Sequence, residues 1–138
     1  MHGKSSKEPA LLSRVNHERV SRNLPPLCLN SKLQAATRRH VMDQATSDFM
    51  SDIGTDDSTS ETRAADAGFQ WENLAESIDS EIRNADDVVN WWMKNADREN
   101  ILGNFTMTGI AYVYNPDLAS KDYWVELFAT GIDETCDA

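Results

Sequence analysis

The sequence predicts an α+β or layered α/β/α domain in which helices pack on a mainly antiparallel sheet. Three observations lead there. Apolar residues recur at three- and four-residue steps through much of the chain before residue 97. Beyond that point, Met107 to Tyr114 and Tyr123 to Ala129 are rich in β-branched and aromatic residues, and the first of them alternates. The chain is 138 residues long, which suits one domain rather than two.

Taken in order, Glu8 to Arg22 is the first helix, with Leu11, Leu12, Val15 and Arg19 on its inner side. Asn23 and the Pro25-Pro26 pair end it, because proline cannot continue the hydrogen-bond ladder. A second helix starts at Asn30-Ser31, where Ser31 and Gln34 have capping-box spacing, and runs to about Phe49. Its apolar face is Leu33, Ala36, His40, Val41 and Ala45. Ser58 and Glu61 form a second capping-box pair ahead of a short helix through Ala67, which Gly68 terminates. Phe69 to Ile78 is extended. Asn84 to Asp87 caps a helix with Val88, Val89, Trp92, Met93 and Ala96 inward. Trp91 and Trp92 are about 100° apart on that helix, so only one can face the core. The loop through Asn115, Pro116 and Asp117 then joins two strands that pair antiparallel.

Composition excludes several classes. Hydrophobic residues are 40% and charged residues 26% of the chain, an ordinary globular balance. Thirteen Lys and Arg against 23 Asp and Glu give a formal charge of −10, which repels phosphate backbones and anionic headgroups. No apolar run approaches the roughly 18 residues of a membrane span. The polar start, residues 1–8, reads as a disordered tail or a cloning remnant ahead of one domain over residues 9–138, and no signal peptide is visible. Cys28 and Cys136 are either two buried thiols or a bridge between the early loop and the acidic tail. Asn104-Phe105-Thr106 has the N-glycosylation pattern, which arises often by chance.

Acids are clustered. Six fall between His40 and Thr62 with no Lys or Arg, and six more between Glu72 and Asp87 against one Arg83. Most belong to a solvated face. The stretch Asp52 to Asp57 has calcium-loop chemistry, but it fails EF-hand spacing and lacks the closing Glu. There is no phosphate loop, zinc-protease helix, Cys-x-x-Cys or serine elbow. His40 reads as a hydrogen-bonded core residue and His17 as a surface one, too few imidazoles for a triad or a conventional zinc site.

Four stretches together resemble the CAP superfamily of cysteine-rich secretory, antigen 5 and pathogenesis-related proteins, in its microbial branch. They are Leu11 to Arg19 with Leu24-Pro25-Pro26-Leu27; Trp71 to Ala75, which contains Glu72-Asn73-Leu74-Ala75; Trp92 to Leu102; and Tyr123 to Phe128. The resemblance implies a three-layer α-β-α sandwich with a large cleft, export from the cell, and a Cys28–Cys136 disulfide. In the family the cleft usually carries two histidines and two acids able to hold zinc. Here the two histidine positions are Asp52 and Asp97, the first acid is Glu72, and the other acid position falls near Asn95.

With both imidazoles replaced by carboxylates, the zinc inference does not carry over. A site built from Asp52, Glu72 and Asp97 suits a hard cation such as calcium or magnesium. If the three converge without one, repulsion raises at least one pKa. No cofactor is required by this reading. The expected function is a secreted, extracellular, non-enzymatic binding protein, a monomer with a degenerate metal site. Its expected ligands are a sterol or other lipid, or a host protein at a host–microbe interface, and not nucleic acid. The alternatives are a metal-dependent hydrolase with Glu72 as general base, and an interaction domain whose acidic loop from Asp43 to Glu61 meets a basic protein.

Overall fold

The structure, a computed structural model, describes residues 5–137. Nine elements follow one another: α1 (Lys7–Val20), β1 (Cys28–Leu29), α2 (Ser31–Ser47), α3 (Ser60–Asp66), β2 (Trp71–Ser80), α4 (Ala85–Met93), α5 (Arg98–Ile101), β3 (Met107–Tyr114) and β4 (Asp122–Gly131). The four strands form one sheet in the order β1-β3-β4-β2, antiparallel except for the short parallel β1–β3 pair. Helices cover both faces, so the α-β-α sandwich holds.

Strand alternation assigns the layers. Ile110, Trp124 and Phe128 face α1, α4 and α5, packing with Leu11, Val15, Val88, Val89, Trp92 and Ile101. On the other face Leu127, Ala129 and Met107 meet Leu33 and Ala36 of α2 and Ala64 of α3. Ala111, Tyr123 and Val125 meet Val41 and Ala45 farther along α2. Gly109 permits this approach: a Cβ there would stand 2.4 Å from the backbone carbon of Leu33. Trp92 is fully buried and Trp91 is 56% exposed, as their angular offset requires.

Several boundaries differ from the sequence reading, each for a local reason. Helix α1 begins at Lys7, inside the predicted tail, and stops at Val20, before a turn in which Asn23 is left-handed. The cap of α2 is Asn30, whose side chain accepts from the Lys32 and Leu33 amides, rather than a Ser31–Gln34 box. Gln34 instead accepts the Ile110 N–H across the sheet edge. The α3 box is Thr59–Thr62, not Ser58–Glu61, because Ser58 is held by Arg63. Gly68 ends that helix at φ +91° and Asn84 caps α4, both as predicted. Ala96 is exposed because α4 stops at Met93, and the short β1 and α5 carry too few residues for a periodic signal.

Among the described residues, two side chains of charged type on the α1 face, Arg19 and Glu126, are fully enclosed. Arg19 spreads its guanidinium over the carbonyls of Pro25, Ile101, Gly103 and Phe105 at 2.8–3.1 Å. That ties α1 to the loop after it and to the α5–β3 connection. Glu126, at 0% exposure in β4, has its Oε2 2.7 Å from the Thr108 hydroxyl, which is also 2.7 Å from the Leu127 carbonyl. One hydroxyl hydrogen cannot serve two acceptors. Both contacts are satisfied when Glu126 is protonated: its Oε2–H donates to Thr108, and Thr108 donates to Leu127. Burial, opposed by the Thr108 contact and the Arg19 charge, pushes the Glu126 carboxyl up to about 8.

Arg19→Met leaves four carbonyls without their donor and is expected to cost roughly 3–5 kcal/mol in urea unfolding. Arg19→Lys recovers little of this, because one ammonium cannot span the fork. The unfolded chain releases the Glu126 proton near pH 4.5 and the folded chain holds it to about 8, so this contribution to stability is lost as pH rises across that window. Glu126→Gln keeps a donor toward Thr108 and removes the titration. Thermal melts should show its Tm above that of the parent by on the order of 5 °C at pH 8, with a smaller gap at pH 5.

Candidate functional site

The acidic side chains gather along β2, at one edge of the sheet. The β2–β4 register skips Glu72, which lies between the Trp71–Gly131 and Asn73–Thr130 pairs as the extra residue of a bulge. Glu72 is exposed there. Regular alternation resumes beyond the bulge: Glu76 points toward α2 and α3, while Ser77 and Asp79 point toward α4 and α5.

Glu76 is the buried member. Arg63 of α3 donates to both its carboxylate oxygens at 2.9 and 3.1 Å and also donates to the Asp52 carbonyl at 2.9 Å. His40 stands beside the pair, its Nε2 2.7 Å from the Ser51 carbonyl. Burial pushes Glu76 up to about 7 against the pull of Arg63, and Asp52 and Glu61 add to the rise. Burial and the Arg63 charge push His40 down, so it is the neutral core histidine that the sequence suggested.

Across the β2 edge, Asp97 accepts a 2.8 Å hydrogen bond from the Ser77 hydroxyl, and Asn100 donates to the same hydroxyl at 2.9 Å. Burial raises the Asp97 carboxyl, the Ser77 bond opposes it, and the Asp52 charge raises it further. Burial raises Asp79 to about 6, offset by the Ser80 amide and reinforced by Asp97 and Glu81.

Of the predicted trio, the Asp52 charge reaches Asp97, while Glu72 stands exposed on its bulge. Among the described residues no group of three or more His, Cys, Asp or Glu is placed to hold a metal ion. Asn95 is exposed and closes a local turn, accepting from the Asp97 amide and donating to the Trp91 carbonyl. The Asp52–Asp57 loop is tied to α2: Asp43 of that helix accepts from the Thr55 amide and hydroxyl, and Asp56 accepts from the Ser58 amide and from Arg39 of α2. Sequence reasoning missed Arg63, Glu76 and Asp79. The available signal was parity along the predicted extended stretch Phe69 to Ile78: Glu76 within it and Asp79 just beyond it fall on opposite faces of a strand.

At the opposite sheet edge lies a slot of ≈ 550 Å³ between α1 and α2. Its walls are Glu8, Pro9, Leu12, Ser13 and Asn16 on one side and Gln34 and Arg38 on the other, with Leu29 where β1 ends and Ser5 at the rim. Asn16 fixes the first wall by exchanging two hydrogen bonds with the Leu27 backbone, at 2.8 and 3.0 Å. The Cys28–Cys136 disulfide, with Cα atoms 5.5 Å apart, holds the tail against β1. There the Asp137 amide donates to the Leu29 carbonyl, and the Asp137 carboxylate accepts from the Ser31 amide at the start of α2.

The family model described as "CAP: Cysteine-rich secretory protein family" matches residues 12–128. The chain belongs to this family. No curated protein matches it in sequence. Among solved structures, this CAP chain is similar to an outer surface protein of Borrelia burgdorferi (TM-score 0.82, 18% identity), covering 96% of this chain and 100% of that one. It is also similar to an extracellular SCP-domain protein of Bacillus anthracis (TM-score 0.79, 18% identity, 88% of this chain and 39% of that one). A third is a cysteine-rich secretory protein of Staphylococcus aureus (TM-score 0.67, 18% identity), covering 94% of this chain and 42% of that one. The chain therefore spans less than half of the two latter proteins. At these identities the likeness establishes the CAP fold.

Asp97→Asn keeps an acceptor for Ser77 and removes one charge. Carbon-13 NMR titration of the Asp79 carboxyl should then show its midpoint moving down from about 6 toward the ordinary aspartate range.

Proposed function

We propose that this CAP domain is a secreted, non-enzymatic binding protein whose ligand occupies the slot between α1 and α2. The carrying observation is the slot itself, a concave volume in the range of ligand pockets, with apolar walls at Pro9, Leu12 and Leu29 and polar groups at Ser13, Gln34 and Arg38. The disulfide suits an oxidising compartment, and the fold relatives are described as extracellular, secretory or outer-surface proteins. Among the described residues no helix is long and apolar enough to cross a membrane. The slot suits an amphipathic ligand, a lipid or a segment of another protein, better than it suits catalysis. The acidic edge supports binding over hydrolysis, because Glu76 is consumed by Arg63 and Glu72 stands exposed on its bulge, with no side-chain partner among the described residues to orient it as a base.

Ser13 is exposed on the slot wall, so Ser13→Trp fills the slot and leaves the core alone. Fluorescent sterol and fatty-acid probes, together with peptides, are expected to lose at least tenfold in affinity on that variant while its Tm stays within about 2 °C of the parent. Binding of equal strength to both proteins would place the ligand elsewhere.

A further inference from the structure

The triplet Asn104-Phe105-Thr106 lies in the connection between α5 and β3, and no other Asn of the chain is followed two places on by Ser or Thr. Neither Phe105 nor Met107 is a proline, so nothing in the triplet bars the pattern. The backbone here is pinned from outside the loop. Arg19 donates to the Gly103 and Phe105 carbonyls, the Thr106 amide donates to the Ala129 carbonyl, and the Cys28 amide donates to the Thr106 carbonyl.

The three side chains divide sharply. Phe105 turns inward against the α1-side core, its ring centroid 6.0 Å from that of Phe128. Asn104 and Thr106, on either side of it, are both exposed. The Asn104 side-chain amide has no hydrogen-bond partner among the described residues, and the Thr106 hydroxyl makes only a long contact, 3.5 Å, to the Ala129 carbonyl. Other asparagines are committed: Asn16, Asn30, Asn95 and Asn115 donate their side-chain amides to backbone carbonyls. Asn104 is thus a free amide on a fixed backbone, and a bulky group attached to it displaces no core contact. The Cys28–Cys136 disulfide suits the oxidising compartment in which oligosaccharide is transferred to protein.

We infer that Asn104 is the acceptor for one N-linked glycan where the chain is exported through a compartment that holds a lipid-linked oligosaccharide. The bond formed joins Asn104 Nδ2 to C1 of the first sugar. The bond broken joins that C1 to the diphosphate of the lipid carrier, which leaves as the lipid diphosphate while Nδ2 gives up one proton. No oxidant or reductant enters. None of the three residues lines the slot, so this acceptor is separate from the ligand site proposed above.

The full chain, fused to a cleavable export leader, is expressed in eukaryotic secretory cells. Intact mass is read on both secreted and retained protein, before and after peptide N-glycosidase F. One glycan is expected, and release in heavy-oxygen water should leave its label on the peptide that contains Asn104. Thr106→Ser should keep the glycan, whereas Thr106→Ala and Asn104→Gln should each lose it. Both positions are exposed, so the Tm of each variant should stay within about 2 °C of the unglycosylated parent. Release should also proceed on the native, unreduced protein. A parent chain without sugar on Asn104 in both fractions overturns the inference. Sugar that persists in Thr106→Ala, or label on another peptide, overturns the assignment to this triplet. Release that requires denaturation overturns the placement of Asn104 on open surface.

Discussion

Strand β4 has a strand on each edge and a helical layer on each face, and residues from Asp122 to Ala129 are all buried. Every other element is arranged around that enclosure. Alternate residues of β4 build the two cores, Trp124 and Phe128 on one side and Tyr123, Val125, Leu127 and Ala129 on the other. A polar residue in such a strand must find its partners inside the protein. Glu126 does so with Oε2, through Thr108 as a neutral acid beside the Arg19 charge, while its Oε1 has no hydrogen-bond partner among the described residues. The enclosure therefore reaches into protonation as well as packing.

The residues that carry the family resemblance near the start of the chain act as ties to backbone. Asn16 grips Leu27 and Arg19 grips four carbonyls, two of them in the connection from α5 to β3. Polar side chains spaced along one helix thus lock irregular segments that have no ladder of their own. By holding Leu27 just ahead of β1, Asn16 also ties α1 to the loop beside the sheet edge. Asn16 is also part of the slot wall.

The two ends of the sheet have opposite chemistry. At the β2 edge, carboxylates crowd together and burial holds several of them above the ordinary range, with Arg63 neutralising only Glu76. At the β1–β3 edge, β1 covers only Met107 and Thr108, and the Gln34 side chain takes the Ile110 N–H. One edge is lined by acids that burial holds toward their neutral form, and the other is closed by a side-chain amide.

Local chemistry written in the sequence was enough for the helix periods, the Asn84 and Gly68 boundaries, the β3–β4 alternation, the single inward Trp of α4 and the core placement of His40. Each depends on neighbours within a few positions, and those are present in any stretch of chain. Family spacing added the sandwich and the disulfide. Partners far apart in the chain were not legible. Asn30, not Ser31, caps α2, because Gln34 is drawn across to Ile110, and Arg63 selects Glu76 rather than leaving the acids equivalent. The bulge that holds Glu72 exposed at the β2 edge, and the slot at the end of β1, exist only after strands have paired. Register and layer spacing are properties of the assembled sheet, and no residue-by-residue pattern encodes them.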